Sequence, residues 1–340
     1  MFVPKRIIFE KGSLDYNRAK NIYDFFKKND SVEMINITSN RVKENIPGSN
    51  LHDFYIEGKK TLVVGIKKGF KYQSCKPSAN YQLPLVSGCT GKCQYCYLNT
   101  NLGYKPYVKI YANLEDVLNK AHEYIIERNP EITVFEGSAT SDPVSVEPYT
   151  HLLEDTIKFF GNSSKGRFRF VTKYDDVDSL LNIEHNGNTE IRFTINTNKA
   201  KKEFESRTSS IDKRVDASVK LLKAGYPIGF IIAPVFIYEG YKEDYKNLLL
   251  DLKNKLPQNL DLPISFEVIS HRYTKRAKDI INEIFKENTL PMNDNERQYK
   301  YGQFGYGKYI YNKQNLEDMK EFFLKEIKEI FPKAIIKYII

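Results

Sequence analysis

Three of the four cysteines in the chain lie close together, in the string SGCTGKCQYCY. Cys89, Cys93 and Cys96 have the spacing C-x3-C-x2-C, and thiolates hold iron–sulfur clusters, usually four to a [4Fe–4S] cube. Three ligands leave one iron of such a cube open to a group that is not protein. Zinc instead takes four ligands, and the nearest histidines, His52 and His122, stand alone in the sequence. The spacing therefore predicts an iron–sulfur cluster, with a zinc knuckle or a chance grouping as the alternatives.

The composition is that of a globular chain with a basic surface. Of 340 residues 41% are hydrophobic, and 52 Lys+Arg against 43 Asp+Glu give a net charge of +9. This charge suits an anionic partner, although Lys-rich surfaces are common. Clustered cysteines indicate a reducing compartment rather than a disulfide scaffold. We expect neither a membrane span nor a signal peptide, because no long apolar run and no apolar leader core is present.

Short apolar runs alternate with helical patterns from residue 83 to residue 270. Amphipathic helices are predicted between them, for example from Asn113 to Glu127 and from Ser210 to Ala224. Serial β-α units predict a parallel sheet with right-handed crossovers. Because six units fall short of the eight of a closed barrel, we predict a partial (β/α)6 barrel of α/β class, with the cysteine loop after its first strand. The six strands are predicted at 83–87, 132–136, 167–172, 189–195, 227–232 and 263–269.

The segments on either side of the barrel predict two smaller parts. Residues 1–82 form an N-terminal α+β lobe, with a helix that opens at Ser13 and two strands. Residues 83–270 form the barrel. Residues 271–340 form a C-terminal extension with two helices, a Tyr/Gly-rich segment and a final strand.

The Tyr/Gly-rich segment, RQYKYGQFGYGKYIY at 297–311, has the pattern of a β-hairpin, since tyrosines alternate on both sides of a glycine-rich turn. Interleaved Tyr, Lys and Arg suit nucleic acid, because cations meet phosphates and aromatic rings stack on bases or wedge between them. Arg297 and Lys300 in the first strand, and Gln303 and Phe304 at the tip, are the predicted DNA contacts. An ordinary hairpin whose tyrosines pack on a sheet is the alternative.

Seven stretches of the chain are informative together: SGCTGKCQYCYLNT, SATSDPVSVEP, FVTKYDDVD, FESRTSSIDKRVDASVKLLKAGYPIGFIIAP, ISHRYTKRAKDIINEIF, TLPMND and YKYGQFGYGKYIY. In these stretches, which run in the family's order from about Val3 to the final strand, the chain resembles the spore photoproduct lyase family of the radical S-adenosylmethionine (SAM) superfamily. The resemblance implies a lyase that reverses the thymine dimer of UV-irradiated spore DNA, with a [4Fe–4S] cluster held by the three clustered cysteines and SAM on the open iron.

The resemblance also implies a SAM pocket. Ser141, Asp142, Lys173 and Thr194 match family positions that line it, and Ala233 matches a position that packs against the adenosine. The first four residues follow or end predicted strands, so they converge on the carboxyl face of the barrel, where Lys173 could pair with the methionyl carboxylate. An Asp-Pro turn and a solvated lysine are the alternative interpretations of Asp142 and Lys173.

Two tyrosines and one missing cysteine bear on the radical chemistry. Tyr95 and Tyr97 flank Cys96 and match family tyrosines that touch the lesion and SAM and relay a hydrogen atom or an electron; core packing is the alternative. The family typically carries its hydrogen-donating cysteine where this chain has Ala139, whose methyl group has no weakly bound hydrogen. Either Ala139 replaces a natural cysteine or Cys75, the one remaining thiol, has taken over. We predict that Cys75 is the donor.

The mechanism implied by the resemblance starts from reductive cleavage of SAM to a 5′-deoxyadenosyl radical, which takes a hydrogen atom from C6 of the dimer. The bond between the thymines then breaks, Cys75 supplies a hydrogen atom, and Tyr97, with Tyr95, helps to return the radical and regenerate SAM. The lesion must leave the duplex, and flipping a damaged dinucleotide out of the duplex costs less free energy than flipping a paired one.

The expected partners are UV-damaged double-stranded DNA and a reducing electron-transfer protein. We expect a monomer in the cytoplasm of the spore or germinating cell of a spore-forming bacterium. Two rival interpretations are a radical-SAM enzyme that acts on a substrate other than DNA, and a DNA-binding module with a structural metal site.

Overall fold

The computed structural model describes residues 1–39, 41–98, 106–137, 139–259, 263–301 and 307–340. The chain forms two compact units, one made of Met1–Thr90 and Leu102–Ile191 and the other of Gly91–Asn101 and Arg192–Ile340. The division into residues 1–82, 83–270 and 271–340 stays a prediction. In the described ranges, every helix is too short or too polar to cross a membrane.

The chain alternates strands and helices along most of its length. The strands are β1 (Arg6–Phe9), β2 (Glu33–Asn36), β3 (Thr61–Gly65), β4 (Ser74–Cys75), β5 (Ala79–Gln82), β6 (Val86–Ser87), β7 (Lys92–Cys93), β8 (Val108–Tyr111), β9 (Thr133–Glu136), β10 (Gly166–Thr172), β11 (Thr189–Ile195), β12 (Glu205–Ser206), β13 (Ile228–Val235), β14 (Ser265–Ser270), β15 (Arg297–Tyr301), β16 (Gly307–Tyr311) and β17 (Ile335–Ile339). The helices are α1 (Asn17–Phe26), α2 (Leu51–Gly58), α3 (Leu114–Glu127), α4 (Glu147–Thr150), α5 (Leu152–Gly161), α6 (Asn198–Phe204), α7 (Ile211–Lys223), α8 (Tyr241–Lys255), α9 (Lys275–Ile284) and α10 (Lys313–Ile330).

The first unit contains two sheets. The N-terminal sheet has the order β2-β1-β3-β8-β6, in which the first four strands are parallel and β6 runs antiparallel to β8. Strands β1 and β3 are buried along their whole length, as expected for parallel strands that read as continuous hydrophobic runs. In the other sheet β5, β9 and β10 lie side by side and parallel, with the short β4 antiparallel to β5.

The second unit is built around parallel strands. Strand β13 pairs with β14, and β14 pairs with β17. Helix α7 follows the predicted Ser210 cap, since the Ser210 hydroxyl accepts a hydrogen bond from the backbone N–H of Lys213. The short strands β7 and β12 pair with each other, and β15 and β16 form an antiparallel hairpin. The hairpin predicted from the sequence is therefore present.

The first predicted barrel strand is wrong in position. The strand that lies beside β9 is β5, Ala79–Gln82, and only Val86–Ser87 of the predicted 83–87 is extended, in the N-terminal sheet. Pro84 carries no backbone N–H to donate to a ladder, and the backbone N–H of Leu85 turns back to the carbonyl of Leu83 at 3.0 Å. The other five predicted barrel strands are confirmed, and their ends differ from the predicted ones by three residues at most.

Candidate functional site

The cysteine loop begins in the first unit, directly after β6. The backbone N–H of Gly88 donates to the carbonyl of Thr140 at 2.9 Å, and Gly88 forms an isolated bridge with Ser141. Gly88 has φ +83°, and a Cβ there would lie 2.3 Å from the carbonyl oxygen of Tyr107, so only glycine fits. Cys89 is thereby held beside the segment that follows β9, where Ser141 and Asp142 were predicted to line a pocket.

Two further contacts fix Cys89 and its neighbour. The ammonium of Lys59, whose side chain is almost fully buried, donates to the carbonyl of Cys89 at 2.8 Å. The hydroxyls of Thr90 and Tyr174 are hydrogen-bonded at 2.6 Å. A buried cation beside this loop opposes the negative charge that thiolate ligands bring. Sequence reasoning missed Lys59, because nothing in its local pattern marks it as buried.

Cys93 and Cys96 belong to the second unit, where backbone pairing positions them. Cys93 in β7 pairs with Glu205 in β12, and the N–H of Gln94 donates to the carbonyl of Phe204 at 2.9 Å. The N–H of Cys96 turns back to the carbonyl of Cys93 at 3.2 Å. Cys93 is buried and Cys96 half-buried. Both are thiols, so they are available as ligands.

A buried charged network lies under this pair of cysteines. The Glu205 carboxylate accepts a hydrogen bond from the hydroxyl of Tyr95 and another from the guanidinium of Arg214 at 2.6 Å. Arg214 also donates to the carbonyl of Thr194 at 2.9 Å. Both partners of the ion pair are fully buried. The network therefore links the cysteine loop to the carboxyl end of β11.

The two tyrosines that flank Cys96 have different surroundings. Burial and the nearby Glu205 carboxylate raise the pKa of Tyr95 well above its usual value. Its ring packs against Phe236 with the centroids 5.9 Å apart. Tyr97, in contrast, is 53% exposed. Tyr95 is therefore held in place by its neighbours, as expected of a residue that positions the loop, whereas the phenol of Tyr97 is accessible.

Breaking the Glu205–Arg214 pair tests the network. Arg214→Met should lower the free energy of unfolding by about 3–5 kcal/mol, because it leaves a buried carboxylate without its cation. Urea unfolding followed by circular dichroism measures this. The matched control is Lys255→Gln, which removes the exposed pair with Asp212 and should cost less than about 1 kcal/mol. Equal small losses in both variants would contradict the assigned role of the network.

Asp142 connects the segments that carry the predicted SAM-pocket residues of the first unit by hydrogen bonds. This carboxylate accepts hydrogen bonds from the Thr172 hydroxyl at 2.8 Å and from the backbone N–H of Lys173 at 2.7 Å. The Ser141 hydroxyl donates to the carbonyl of Gly137 at 3.5 Å. Asp142 therefore joins the carboxyl ends of β9 and β10 and holds the backbone of Lys173. In the second unit, Thr194 is the last residue but one of β11, and the half-buried Ala233 lies in β13.

Cys75 and Ala139 both belong to the first unit. Cys75 is half-buried in β4, where it pairs with Ala79 of β5. Ala139 and Thr140 line a cavity of about 220 Å³, to which Gln73 also contributes. Ala139 thus opens on a cavity that also borders the segment leading to Cys75.

The hairpin residues predicted to contact DNA fall into three groups. Arg297 donates to the carbonyls of His271 and Pro291 at 2.9 and 2.7 Å, and its guanidinium lies 3.5 Å from the ring centroid of Tyr311. Arg297 therefore anchors the base of the hairpin. Lys300 is exposed. The predicted tip contacts, Gln303 and Phe304, lie outside the described residues.

Comparison with known sequences gives matches over the whole chain. The family model of spore photoproduct lyase matches residues 2–340. A spore photoproduct lyase of Clostridium acetobutylicum is 50% identical over 336 residues, which cover 99% of this chain and 98% of the relative. That of Bacillus subtilis strain 168 is 44% identical over 337 residues, with the same coverage.

Solved structures give the same result. A spore photoproduct lyase complexed with dinucleoside spore photoproduct matches with a TM-score of 0.95 and 41% identity, covering 100% of this chain and 99% of the other. A double mutant, cysteine to alanine and serine to cysteine, with bound AdoMet and the same dinucleoside matches with a TM-score of 0.94 at the same identity and coverage. These matches confirm the predicted fold class, the partial radical-SAM barrel.

Proposed function

Because the chain belongs to the spore photoproduct lyase family, we propose that it repairs DNA by converting the spore photoproduct, 5-thyminyl-5,6-dihydrothymine, back to two thymines. The observation that carries this proposal is the match, over the full chain, to a family enzyme solved with dinucleoside spore photoproduct. The cysteine loop supports the proposal independently, because backbone pairing holds three thiols that have the spacing of iron–sulfur ligands. The enzyme is a radical-SAM carbon–carbon lyase.

The donor set suits a [4Fe–4S] cluster. Cys89, Cys93 and Cys96 are thiols on a loop held by backbone pairing, and thiolates are the soft ligands that iron–sulfur clusters prefer. They would hold three irons and leave the fourth for the amine and carboxylate of SAM. When bound, the two cofactors supply a 5′-deoxyadenosyl radical able to take a hydrogen atom from C6 of the lesion.

The SAM-pocket residues act from the carboxyl ends of the strands. Lys173, whose backbone N–H donates to Asp142, is our candidate to pair with the methionyl carboxylate. Ser141 contributes a hydroxyl beside the cysteine loop. Thr194, fixed through its carbonyl by Arg214, and Ala233 complete the set of candidate contacts. Asp142 acts by positioning, because both of its carboxylate oxygens already accept hydrogen bonds within the protein.

Cys75 is the proposed hydrogen donor to the thymine radical left after the bond between the bases breaks. Its S–H bond breaks homolytically, a C–H bond forms on the thymine, and the unpaired electron stays on sulfur. One solved variant of a family enzyme supports this proposal. In it a cysteine is replaced by alanine and a serine by cysteine, and these two positions are separated along the sequence by the same number of residues as Ala139 and Cys75 are here. Tyr97, the exposed tyrosine of the loop, then relays the radical back toward 5′-deoxyadenosine.

The remaining partners follow from the chemistry. A radical-SAM reaction needs a low-potential electron, so we assign a reducing electron-transfer protein as the donor.

The thiol state of all four cysteines in the described chain and the Bacillus and Clostridium relatives support a location in the cytoplasm of a spore-forming bacterium. We propose that the enzyme acts as a monomer on one lesion at a time.

The hairpin tip provides the test of action on duplex DNA. Wild-type enzyme with SAM and dithionite should repair the lesion both as a free dinucleoside and within a duplex. Replacing Gln303 and Phe304 by glycine should slow duplex repair by about tenfold or more, because opening a base step costs a few kcal/mol, and leave dinucleoside repair nearly unchanged. Chromatography of both products measures the two rates, and equal losses would contradict a wedge.

A further inference from the structure

The two faces of the hairpin carry different side chains. In the register of β15 and β16, Tyr299 lies opposite Tyr309, and Lys300 lies opposite Lys308. Because successive residues of a strand point to opposite faces, the tyrosines share one face and the lysines the other. On the tyrosine face the ring of Tyr309 stacks on that of Tyr273, with the centroids 5.3 Å apart, whereas Tyr299 is 48% exposed.

Repulsion between like charges destabilises the lysine face of the hairpin when no anion is bound to it. Like charges directly opposite in an antiparallel pair destabilise it. A third cation lies close by, because the isolated bridge between Tyr273 and Tyr309 brings Arg272 alongside β16. Partial burial and the charge of Arg272 lower the pKa of Lys308, which reports that the two cations are near each other.

Arg272 carries hydrogen-bonding capacity that the protein does not use. One terminal nitrogen of its guanidinium is buried and has no hydrogen-bond partner in the described part of the chain. Within the same ranges neither Arg272 nor Lys300 forms an ion pair. A buried guanidinium nitrogen without an acceptor is costly, so the missing acceptor is expected to come from a bound group.

An open groove borders the lysine face. Its volume is about 450 Å³, and it is lined by Gln298, Lys300, Ile310, Lys313, Glu317 and Lys320, among others. Three lysines against one glutamate give the groove a net positive charge, and five of its ten lining residues are apolar.

We propose that Arg272, Lys300 and Lys308 form a binding site for a backbone phosphate of duplex DNA. Phosphate oxygens would satisfy the guanidinium nitrogen of Arg272 and offset the repulsion between the two lysines. Contacts of this kind set the position of a protein on the duplex without reading its sequence. The inference rests on the proposed function, since it assigns to the repair enzyme the surface that holds its substrate.

The test measures binding to an undamaged duplex by fluorescence anisotropy over a series of salt concentrations. Lys308→Gln and Lys300→Gln should each weaken binding roughly 3–10-fold at low salt and reduce the salt slope by about 1, as expected for one lost phosphate contact. Lys308→Gln should also keep or raise the melting temperature, because it removes a like-charge pair. Lys308→Arg should retain the wild-type slope.

The matched control is Lys325→Gln on α10, which removes the same charge from an exposed position that does not line the groove. Its salt slope should stay within error of the wild type. Slopes of Lys300→Gln and Lys308→Gln that equal the control would overturn the phosphate site. Repair of free dinucleoside spore photoproduct separates the two proposals: its absence in the wild type refutes the lyase activity, whereas its persistence in variants with unchanged DNA binding refutes only the phosphate site.

Discussion

Cys93→Ala should abolish both the visible absorbance of the [4Fe–4S] cluster and the reductive cleavage of SAM. A cube held by two thiolates is not expected to persist, and Cys93 is the buried ligand whose backbone pairs with β12. Cys89→Ala and Cys96→Ala should give the same result. Iron content, the ultraviolet–visible spectrum and 5′-deoxyadenosine formation after anaerobic reconstitution measure the loss.

Cys75→Ala is the control for these variants, because it also removes one thiol. It should keep wild-type iron content and cleave SAM. Loss of the cluster in Cys75→Ala, or a full cluster in any of the other three variants, would contradict the ligand assignment. Circular dichroism shows whether each variant is folded, so loss of iron is not confused with loss of structure.

Cys75→Ala should change the products of the reaction while the cluster chemistry continues. Without a thiol to quench it, the thymine radical should be trapped by the reductant, for instance as a sulfite adduct from dithionite. Clean thymine product should fall to a small fraction of the wild-type yield. Mass spectrometry of the products from the dinucleoside substrate measures both species.

A second variant shows whether the defect is the missing thiol. Ala139→Cys in the Cys75→Ala background should restore at least part of the clean product, because Ala139 lines a cavity that borders the segment leading to Cys75. Hydrogen transfer needs the sulfur about 3–3.5 Å from the radical carbon, so rescue requires both positions to reach the same carbon. Adduct-free repair by Cys75→Ala would instead make another group, such as Tyr97, the donor.

The sequence predicted the fold well where its periodicity was strong. Strand β11 and helices α3 and α7 follow the expected pattern to within one residue. Strands β1 and β8 were not predicted, because each has only four residues, RIIF and VKIY, which carry too little periodicity to identify a strand. The first strand of the barrel sheet was placed too late in the chain, since β5 contains the polar residues Asn80 and Gln82.

The candidate site was only partly readable from the sequence. The cysteine spacing predicts three cluster ligands from the sequence alone. The buried pair of Glu205 and Arg214 could not be predicted in this way, because both residues lie in a charged string whose burial depends on tertiary packing. The alternation of Tyr and Lys in the hairpin was readable from the sequence. Which residues lie opposite each other, Tyr299 with Tyr309 and Lys300 with Lys308, depends on the strand register, which the sequence pattern alone does not fix.

The proposed lyase activity is tested most directly by anaerobic incubation of the reconstituted enzyme with SAM, dithionite and dinucleoside spore photoproduct, followed by quantitative product analysis. The repaired thymine dinucleoside should form only when both SAM and reductant are present, in excess over the SAM consumed. Cleavage of SAM to 5′-deoxyadenosine with the lesion left intact would contradict the proposed activity.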